Sequence, residues 1–230
     1  MSELAVADTR PIDLQDVRLA HHFDDADQQR QSAVLGMWAF LATEIMFFGG
    51  LVTAYTVYRV LNPEEFAAGS QQLNPLLGAF NTFVLLGSSL AVALAVRGSQ
   101  KRDRRTVLIM LGVTMVLGLA FLGIKAYEWS LEFSHHLAPG PNFHFEEHGA
   151  EHLNANRVQM FFVFYFFLTG VHAVHMIIGL MIIAIIAVQV GRRVLPATGE
   201  RPIEITGLYW HFVDIVWVFL YPLLYLIEVK

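Results

Sequence analysis

The stretch VQMFFVFYFFLTGVHAVHMIIGLMIIAIIAVQV, residues 158–190, decides the fold of this chain. It carries no charged residue, and two histidines, His172 and His175, interrupt it near its middle. An α-helix rises about 1.5 Å per residue, and about 20 apolar residues cross the hydrocarbon core of a bilayer. The stretch therefore predicts a membrane helix that tilts or projects past one face. Imidazoles at membrane depth are costly without partners, so we expect other helices to supply polar groups to them.

The composition of the whole chain is that of a membrane protein. Hydrophobic residues make up 55% of the 230 positions and charged residues only 15%, whereas soluble domains carry about 25% charged residues. The net charge of −5 is mild, and no basic face is large enough to follow a phosphate backbone, so no nucleic-acid partner is expected. The absence of cysteine excludes disulfides, thiolate metal sites and thiol nucleophiles.

Five apolar segments predict an all-α fold with five transmembrane helices. They cover about residues 33–58, 75–96, 106–131, 158–190 and 205–227. The second segment contains Gly87, Ala91 and Ala95 at i,i+4 spacing, a pattern that lets membrane helices approach closely. Residues 1–32 are expected to form a polar, acidic N-terminal tail, and residues 33–230 a five-helix membrane domain. The histidines and aspartates of the tail fit either a solvated segment or a proton-collecting surface.

The distribution of lysine and arginine between the predicted spans indicates their orientation. Segments 61–73 and 132–156 contain neither residue. The other two connections contain Arg97, Lys101, Arg102, Arg104 and Arg105, and Arg192, Arg193 and Arg201. Because basic loops stay on the cytoplasmic side, we predict the N-terminus inside and the C-terminus outside.

The connection at residues 132–156 is rich in histidine. It contains His135, His136, His144, His148 and His152 among four glutamates. Such a segment fits either a solvated acidic loop or a metal-binding loop. The spacing matches no compact ligand motif, and Pro139, Gly140 and Pro141 interrupt it, so no metal site is predicted.

Ionisable residues inside the predicted spans are expected to face one another. Counted from residue 33, Glu44 lies roughly 16 Å along its span, at a depth comparable with His172 and His175. His211 and Asp214 are three residues apart and share one helix face. We predict a buried polar seam in which Glu44 bonds a histidine of the fourth span and His211 lies near Asp214. These pairs either only fix helix register or take part in function.

A redox or proton-carrying role for this seam is the alternative from a different functional class. Histidines on facing helices can bind haem or copper, and three are available at depth. A di-iron carboxylate site needs more carboxylates than Glu44 and Asp214 provide. A self-sufficient membrane redox or proton-carrying protein that uses His172, His175 and Glu44 therefore remains open.

Five motifs resemble subunit III of haem–copper oxidases. They are MWAFLATEIMFFGG, NTFVLLGSSLAVA, FLGIKAYEW, FLTGVHAVHMIIGL and YWHFVDIVWVFLYPLLYLI. They occur in the family's order from residue 33 to the C-terminus. His172, His175 and Gly179, combined with Trp-His-Phe-Val-Asp at 210–214, form the most specific signal. The longer family form has seven helices and the resemblance begins at its third, so the short, five-helix form is expected.

The resemblance implies a non-catalytic subunit of a respiratory cytochrome c oxidase, a complex that reduces oxygen to water and translocates protons. It implies subunits I and II as partners, with haem and copper in those partners and no cofactor in this chain. It also implies bound phospholipid, support of subunit I stability and proton uptake, and a multi-pass location in the bacterial cytoplasmic membrane. Glu44 matches the family's buried carboxylate, and His172, His175, His211 and Asp214 match its other buried polar positions.

Alternatives remain within the same family. Relatives include accessory subunits of quinol oxidases and of a nitric oxide reductase, and Glu44, Asn81 and Thr82 favour cytochrome c as the donor. The complex is also a candidate for a supercomplex with a partner that handles cytochrome c or quinol. Arg192 and Arg193 at the inner end of the fourth span are expected to contact anionic lipid headgroups or subunit I carboxylates, or serve only as topology determinants.

Overall fold

The computed structural model of the chain describes residues 26–141, 143, 145, 153–192 and 200–227. These residues form helices and connections, without a β-strand in the described part. The helices are α1 (Ala26–Leu61), α2 (Pro63–Gln71), α3 (Pro75–Gln100), α4 (Arg104–Ser134), α5 (Ala155–Gly191) and α6 (Glu200–Tyr225). All except α2 are long and apolar enough to cross a membrane, which confirms the five predicted spans. The orientation of the termini stays a prediction.

The chain divides into two compact units, residues 1–42 and residues 43–230. In the first unit, the described residues are those from position 26 onward, and all are helical. Helix α1 therefore begins at Ala26, ahead of the boundary predicted at residue 33. Most of the predicted acidic tail, residues 1–25, lies outside the described residues. The second unit holds the rest of α1 and helices α2 to α6.

Four membrane helices of the second unit form a closed bundle. Helix α3 packs against α4 and α6, and α5 also packs against α4 and α6. At the centre lies the Trp210 indole of α6, whose Nε1 donates to Ser88 Oγ of α3 at 3.0 Å. A Cβ atom added at Gly118 or Gly179 would lie within 3.0 Å of that indole. These glycines of α4 and α5 thus provide the space that the tryptophan fills.

Side-chain caps fix where three of these helices begin. The Asn74 side chain accepts from the backbone of Leu76 and Leu77 at the start of α3. Asp103 caps α4 in the same way, and Asn154 caps α5. Each cap satisfies backbone N–H groups that have no partner in the first helical turn. Only three residues separate α3 from α4, so their ends are held close together.

Helix α2 lies in a segment that the sequence pattern left as a connection. Pro63 occupies its first turn together with two acidic residues, Glu64 and Glu65, which favour a helix start. Its buried face packs against α5. At Gly69 a Cβ atom would overlap the Phe161 ring, so a small residue is needed where the two helices meet. At only nine residues, α2 is too short to cross a bilayer.

Candidate functional site

Glu44 and His175 form a hydrogen-bonded pair between α1 and α5. Glu44 Oε2 lies 3.0 Å from His175 Nε2, and the two side chains are only 18% and 15% exposed. The other ring nitrogen, Nδ1, lies 2.9 Å from the Val171 carbonyl oxygen. Because a carbonyl only accepts hydrogen bonds, Nδ1 carries a proton. The Nε2–Oε2 contact then holds one further proton, on either the imidazole or the carboxyl group.

One aromatic ring and one tyrosine hydroxyl group contact His175 and fix its position. Phe48 of α1 meets the imidazole edge to face at 5.2 Å. Tyr209 of α6 donates its hydroxyl proton to the His175 carbonyl oxygen at 3.0 Å. The pair therefore lies where α1, α5 and α6 meet, as predicted for a histidine of the fourth span bonded to Glu44.

His172 lies one turn earlier on α5 in a different environment. It is 1% exposed, and its ring contacts Phe121 and Trp217 at centroid distances of 5.5 and 5.1 Å. Neither ring nitrogen has a hydrogen-bond partner within the described part of the chain. The expectation of a polar partner is therefore wrong for this histidine. Residues three apart differ by about 60° around a helix, so His172 faces α4 and α6 while His175 faces α1.

His211 of α6 is partly buried and Asp214 of α6 is buried, and no hydrogen bond joins their side chains. His211 Nδ1 lies 2.6 Å from Ser89 Oγ of α3. Asp214 is 3% exposed, and its two carboxyl oxygens find no hydrogen-bond partner among the described residues. The prediction that His211 lies near Asp214 omitted Ser89, which binds the imidazole from the facing helix. The sequence spacing gave the shared face of α6 but not the neighbour across it.

A second polar cluster, which the sequence patterns did not assemble, surrounds Lys125 of α4. Its Nζ lies 3.0 Å from Glu128 Oε2, 3.2 Å from Tyr165 OH and 2.7 Å from Tyr225 OH. The Tyr225 hydroxyl in turn donates to Glu128 Oε1. Lys125 and Glu128 are 4% and 2% exposed. The ion pair of α4 is therefore buried and hydrogen-bonded to tyrosine hydroxyl groups from α5 and α6.

Aromatic faces add to the solvation of the Lys125 ammonium group. Its Nζ lies 4.9 Å from the centre of the Tyr165 ring and 5.1 Å from that of Trp217, within range of a cation–π attraction. Glu132 lies one turn beyond Glu128 on the same face and is 5% exposed. The i,i+3 spacing of Lys125 and Glu128 was the available sequence signal. The two tyrosines come from positions 40 and 100 residues away, which no local pattern connects.

Of the two arginines predicted to contact lipid at the end of α5, the structure describes one. Arg192 is exposed directly after α5, whereas Arg193 lies outside the described residues. Arg104 of α4 reaches the same helix end, where its Nε donates to the Val190 carbonyl at 3.0 Å and its Nη2 donates to that of Gly191. A cation at this position satisfies terminal carbonyls and the negative end of the helix dipole.

Histidines of the predicted outer loop fall mostly on residues that the structure does not describe. His144, His148 and His152 lie there, while His135 and His136 are exposed after α4. Within the described residues, no three histidine, aspartate or glutamate side chains group closely enough to hold a metal ion. Among the described residues, the side-chain hydrogen bonds of Glu44, His211 and Lys125 belong to three separate clusters rather than to one continuous seam.

A family model described as "Cytochrome c oxidase subunit III" matches residues 16–140 and 151–229. The chain belongs to this family. This confirms the resemblance. The chain is a subunit III of the haem–copper terminal oxidases, which are membrane oxidoreductase complexes, and it crosses the membrane several times.

Curated relatives of this subunit III carry two kinds of name. The chain is 30% identical over 212 residues to the "Cytochrome c oxidase subunit 3" of Alkalihalophilus pseudofirmus, covering 92% of this chain and 94% of the relative. It is 28% identical over 214 residues to the "Probable quinol oxidase subunit 3" of Staphylococcus saprophyticus, covering 91% and 97%. A probable quinol oxidase subunit 3 from Staphylococcus aureus is 28% identical over 195 residues, covering 84% and 88%.

Proposed function

We propose that this chain is a non-catalytic subunit that stabilises the catalytic part of a respiratory oxidase. The observation that supports this is how the buried polar groups around His175 and Lys125 are used. Both nitrogens of His175 are bonded, to Glu44 and to the Val171 carbonyl. Lys125 is enclosed by Glu128 and two tyrosine hydroxyls. Side chains engaged in this way join helices to each other rather than presenting ligands to a shared redox centre.

The proposed partners are subunits I and II, which hold the haem and copper of the complex. The chain contributes a rigid helix bundle to subunit I, together with phospholipid bound against its helices, and supports proton uptake. The proposed location is the cytoplasmic membrane of a bacterium, with the basic α3–α4 turn and the N-terminus on the inner side. The proposal includes both the predicted polar tail, residues 1–32, and the predicted membrane domain, residues 33–230.

Cytochrome c is the proposed electron donor of the complex. The basis is the pair of positions at which the resemblance favours this donor, Glu44 and Asn81. Asn81 is fully buried, and its Nδ2 lies 3.4 Å from the Phe121 carbonyl oxygen. Oxygen uptake by the purified complex with reduced cytochrome c, compared with a reduced quinol, tests the assignment. Oxidation of the quinol alone would assign the complex to the quinol oxidases.

Purification through a tag on this chain tests the accessory role. Membranes are solubilised in mild detergent, the tagged chain is captured, and the accompanying proteins are identified by mass spectrometry. We expect subunits I and II and the visible spectrum of haem in the captured complex. After the subunits are separated, the spectrum should follow subunit I. A Soret band that remains with this chain would instead support a self-sufficient redox protein that uses His172, His175 and Glu44.

A further inference from the structure

The turn that joins α3 to α4 bounds a cavity of about 380 Å³. That volume falls within the range of small-ligand pockets, roughly 300–1,000 Å³. Its lining comes from the end of α3, the connecting turn and the first turn of α4, namely Leu94, Arg97, Gly98, Lys101, Asp103 and Thr106. Spacings of three and four residues place Arg97 and Gly98 on the same face of α3 as Leu94, and Lys101 directly follows the helix. Backbone bonds from Arg102 N to Ser99 O and from Asp103 N to Gly98 O fix the turn.

Two cations and one carboxylate line this cavity. Arg97 and Lys101 are exposed, and neither takes part in the ion pairs formed by the side chains that the structure describes. Asp103 Oδ1 accepts from the backbone N–H groups of Arg105 and Thr106, and Oδ2 accepts from the Thr106 hydroxyl. A carboxylate offers about four acceptor sites. One site of Asp103 therefore remains for a donor inside the cavity.

The depth of the cavity follows from the length of α3. Its 26 residues extend for roughly 39 Å at about 1.5 Å per residue. The hydrocarbon core of a bilayer is about 30 Å thick, and about 40–45 Å with its headgroup layers. The last turn of α3, which contains Arg97, and Lys101 directly after it therefore reach headgroup level. Leu94, one turn earlier, marks the border of the hydrocarbon.

We propose that this cavity binds the headgroup of an aminophospholipid. The phosphodiester lies between Arg97 and Lys101, the primary ammonium group donates to the Asp103 carboxylate, and the acyl chains descend past Leu94. The two positive side chains complement the negative phosphate, and the one negative side chain complements the positive amine that follows the phosphate. The inference rests on the phospholipid binding included in the proposed function, to which it gives a place and a headgroup, and not on the proposed role in oxidase stability.

The same geometry predicts discrimination between headgroups. Phosphatidylglycerol has no amine, so it would place a phosphate near Asp103 without a compensating hydrogen bond. Phosphatidylcholine carries a positive charge but no N–H donor, so it would also leave the Asp103 acceptor unbonded. Phosphatidylethanolamine supplies both groups. Charge-assisted hydrogen bonds are the stronger ones, so the ethanolamine lipid should occupy the cavity in preference.

Photo-crosslinking of the full chain in its membrane complex tests this proposal. The complex is placed in nanodiscs that contain an ethanolamine, choline or glycerol phospholipid with the same photoactivatable acyl chain. Labelled peptides covering residues 94–106 are then quantified by mass spectrometry. We expect labelling by the ethanolamine lipid to exceed that by the other two about two- to fivefold, the range for an exposed charge pair. Equal labelling, or preference for the glycerol lipid, would overturn the proposal.

Variants separate the two halves of the headgroup. Asp103→Asn keeps the helix cap, because asparagine caps as well as aspartate, and it should remove the preference for the ethanolamine lipid. Arg97→Gln with Lys101→Gln should lower labelling by all three lipids. Arg102→Gln is the matched control, since Arg102 is exposed in the same basic segment but does not line the cavity. An Asp103→Asn chain that still prefers the ethanolamine lipid would contradict the assignment of the amine.

Discussion

His175 Nε2 lies 3.0 Å from Glu44 Oε2, and this contact joins α5 to α1. Glu44→Ala would leave the Nε2 of a mostly buried imidazole without its partner. We expect a loss of about 1–3 kcal/mol in the free energy of unfolding, the usual effect of an unpaired buried polar group. Glu44→Gln keeps a hydrogen-bonding group and should lose less. Thermal unfolding of the purified chain or complex measures both.

Met46→Ala provides the control for this prediction. Met46 lies on the same helix two residues later and is 76% exposed, so its truncation creates no buried unpaired group. The pair would have no stabilising role if Glu44→Ala unfolded at the same temperature as Met46→Ala.

The buried ion pair of Lys125 and Glu128 should show strong coupling in a double-mutant cycle. Lys125→Met leaves the carboxylate of Glu128 without its cation, a change that costs about 3–5 kcal/mol when a buried pair is broken. The double variant Lys125→Met with Glu128→Gln removes both charges and should recover part of that loss. Chemical or thermal unfolding of the two single variants and the double variant measures the coupling. Additive effects of the two substitutions would contradict a direct interaction.

The packing of Trp210 makes two glycines sensitive to enlargement. A Cβ atom at Gly179 would lie 2.9 Å from the indole, and one at Gly118 would lie 2.9 Å from Leu180 Cδ2 and 3.0 Å from the indole. Gly118→Ala and Gly179→Ala should each destabilise the bundle by about 1–3 kcal/mol through overpacking. Gly112→Ala, also in α4, is the control, because a Cβ atom there meets nothing within 4 Å. Equal melting temperatures for the three variants would rule out the tight contact.

The apolar segments were sufficient to predict the spanning helices, because a bilayer requires each crossing segment to satisfy its backbone internally. Depth counting along the spans also predicted a Glu44–histidine contact. It did not say which of His172 and His175 faces α1, because that depends on how each helix is rotated in the bundle. Packing sets this rotation, and local sequence spacing does not record it.

Two further features show the same limit. The Lys125 cluster depends on Tyr165 and Tyr225, which reach Nζ from helices far apart in sequence. The contact of His211 with Ser89 depends on which face of α3 meets α6. By contrast, α2 had a local signal in Pro63, Glu64 and Glu65. It was missed because the segment is too short and too polar to be identified by hydropathy.

Asp103 gives the chain a pH-dependent helix start outside the membrane spans. Hydrogen bonds from the Thr106 side chain and backbone lower the pKa of its carboxyl group below the ordinary value of 3.8. A depressed pKa means that the cap stabilises α4 above the ordinary Asp range and loses this contribution only as the pH falls through the folded pKa. Thr106→Ala should raise the Asp103 pKa towards 3.8. Carboxyl ¹³C NMR titration measures this, and an unchanged midpoint would contradict the role of the hydroxyl.

His172 provides the sharpest test of whether a buried histidine of this family member has more than a packing role. Its two ring nitrogens find no hydrogen-bond partner among the described residues, while Phe121 and Trp217 enclose the ring. An apolar ring of similar size avoids the cost of a buried unpaired polar group. We therefore expect His172→Phe to keep or raise the melting temperature of the complex, whereas His175→Phe breaks the Glu44 contact and should lower it.

Oxygen uptake is measured on the same preparations. If His172→Phe leaves the melting temperature intact but reduces turnover or its persistence, the imidazole acts in the function of the complex. If neither changes, His172 only fills space between α4, α5 and α6.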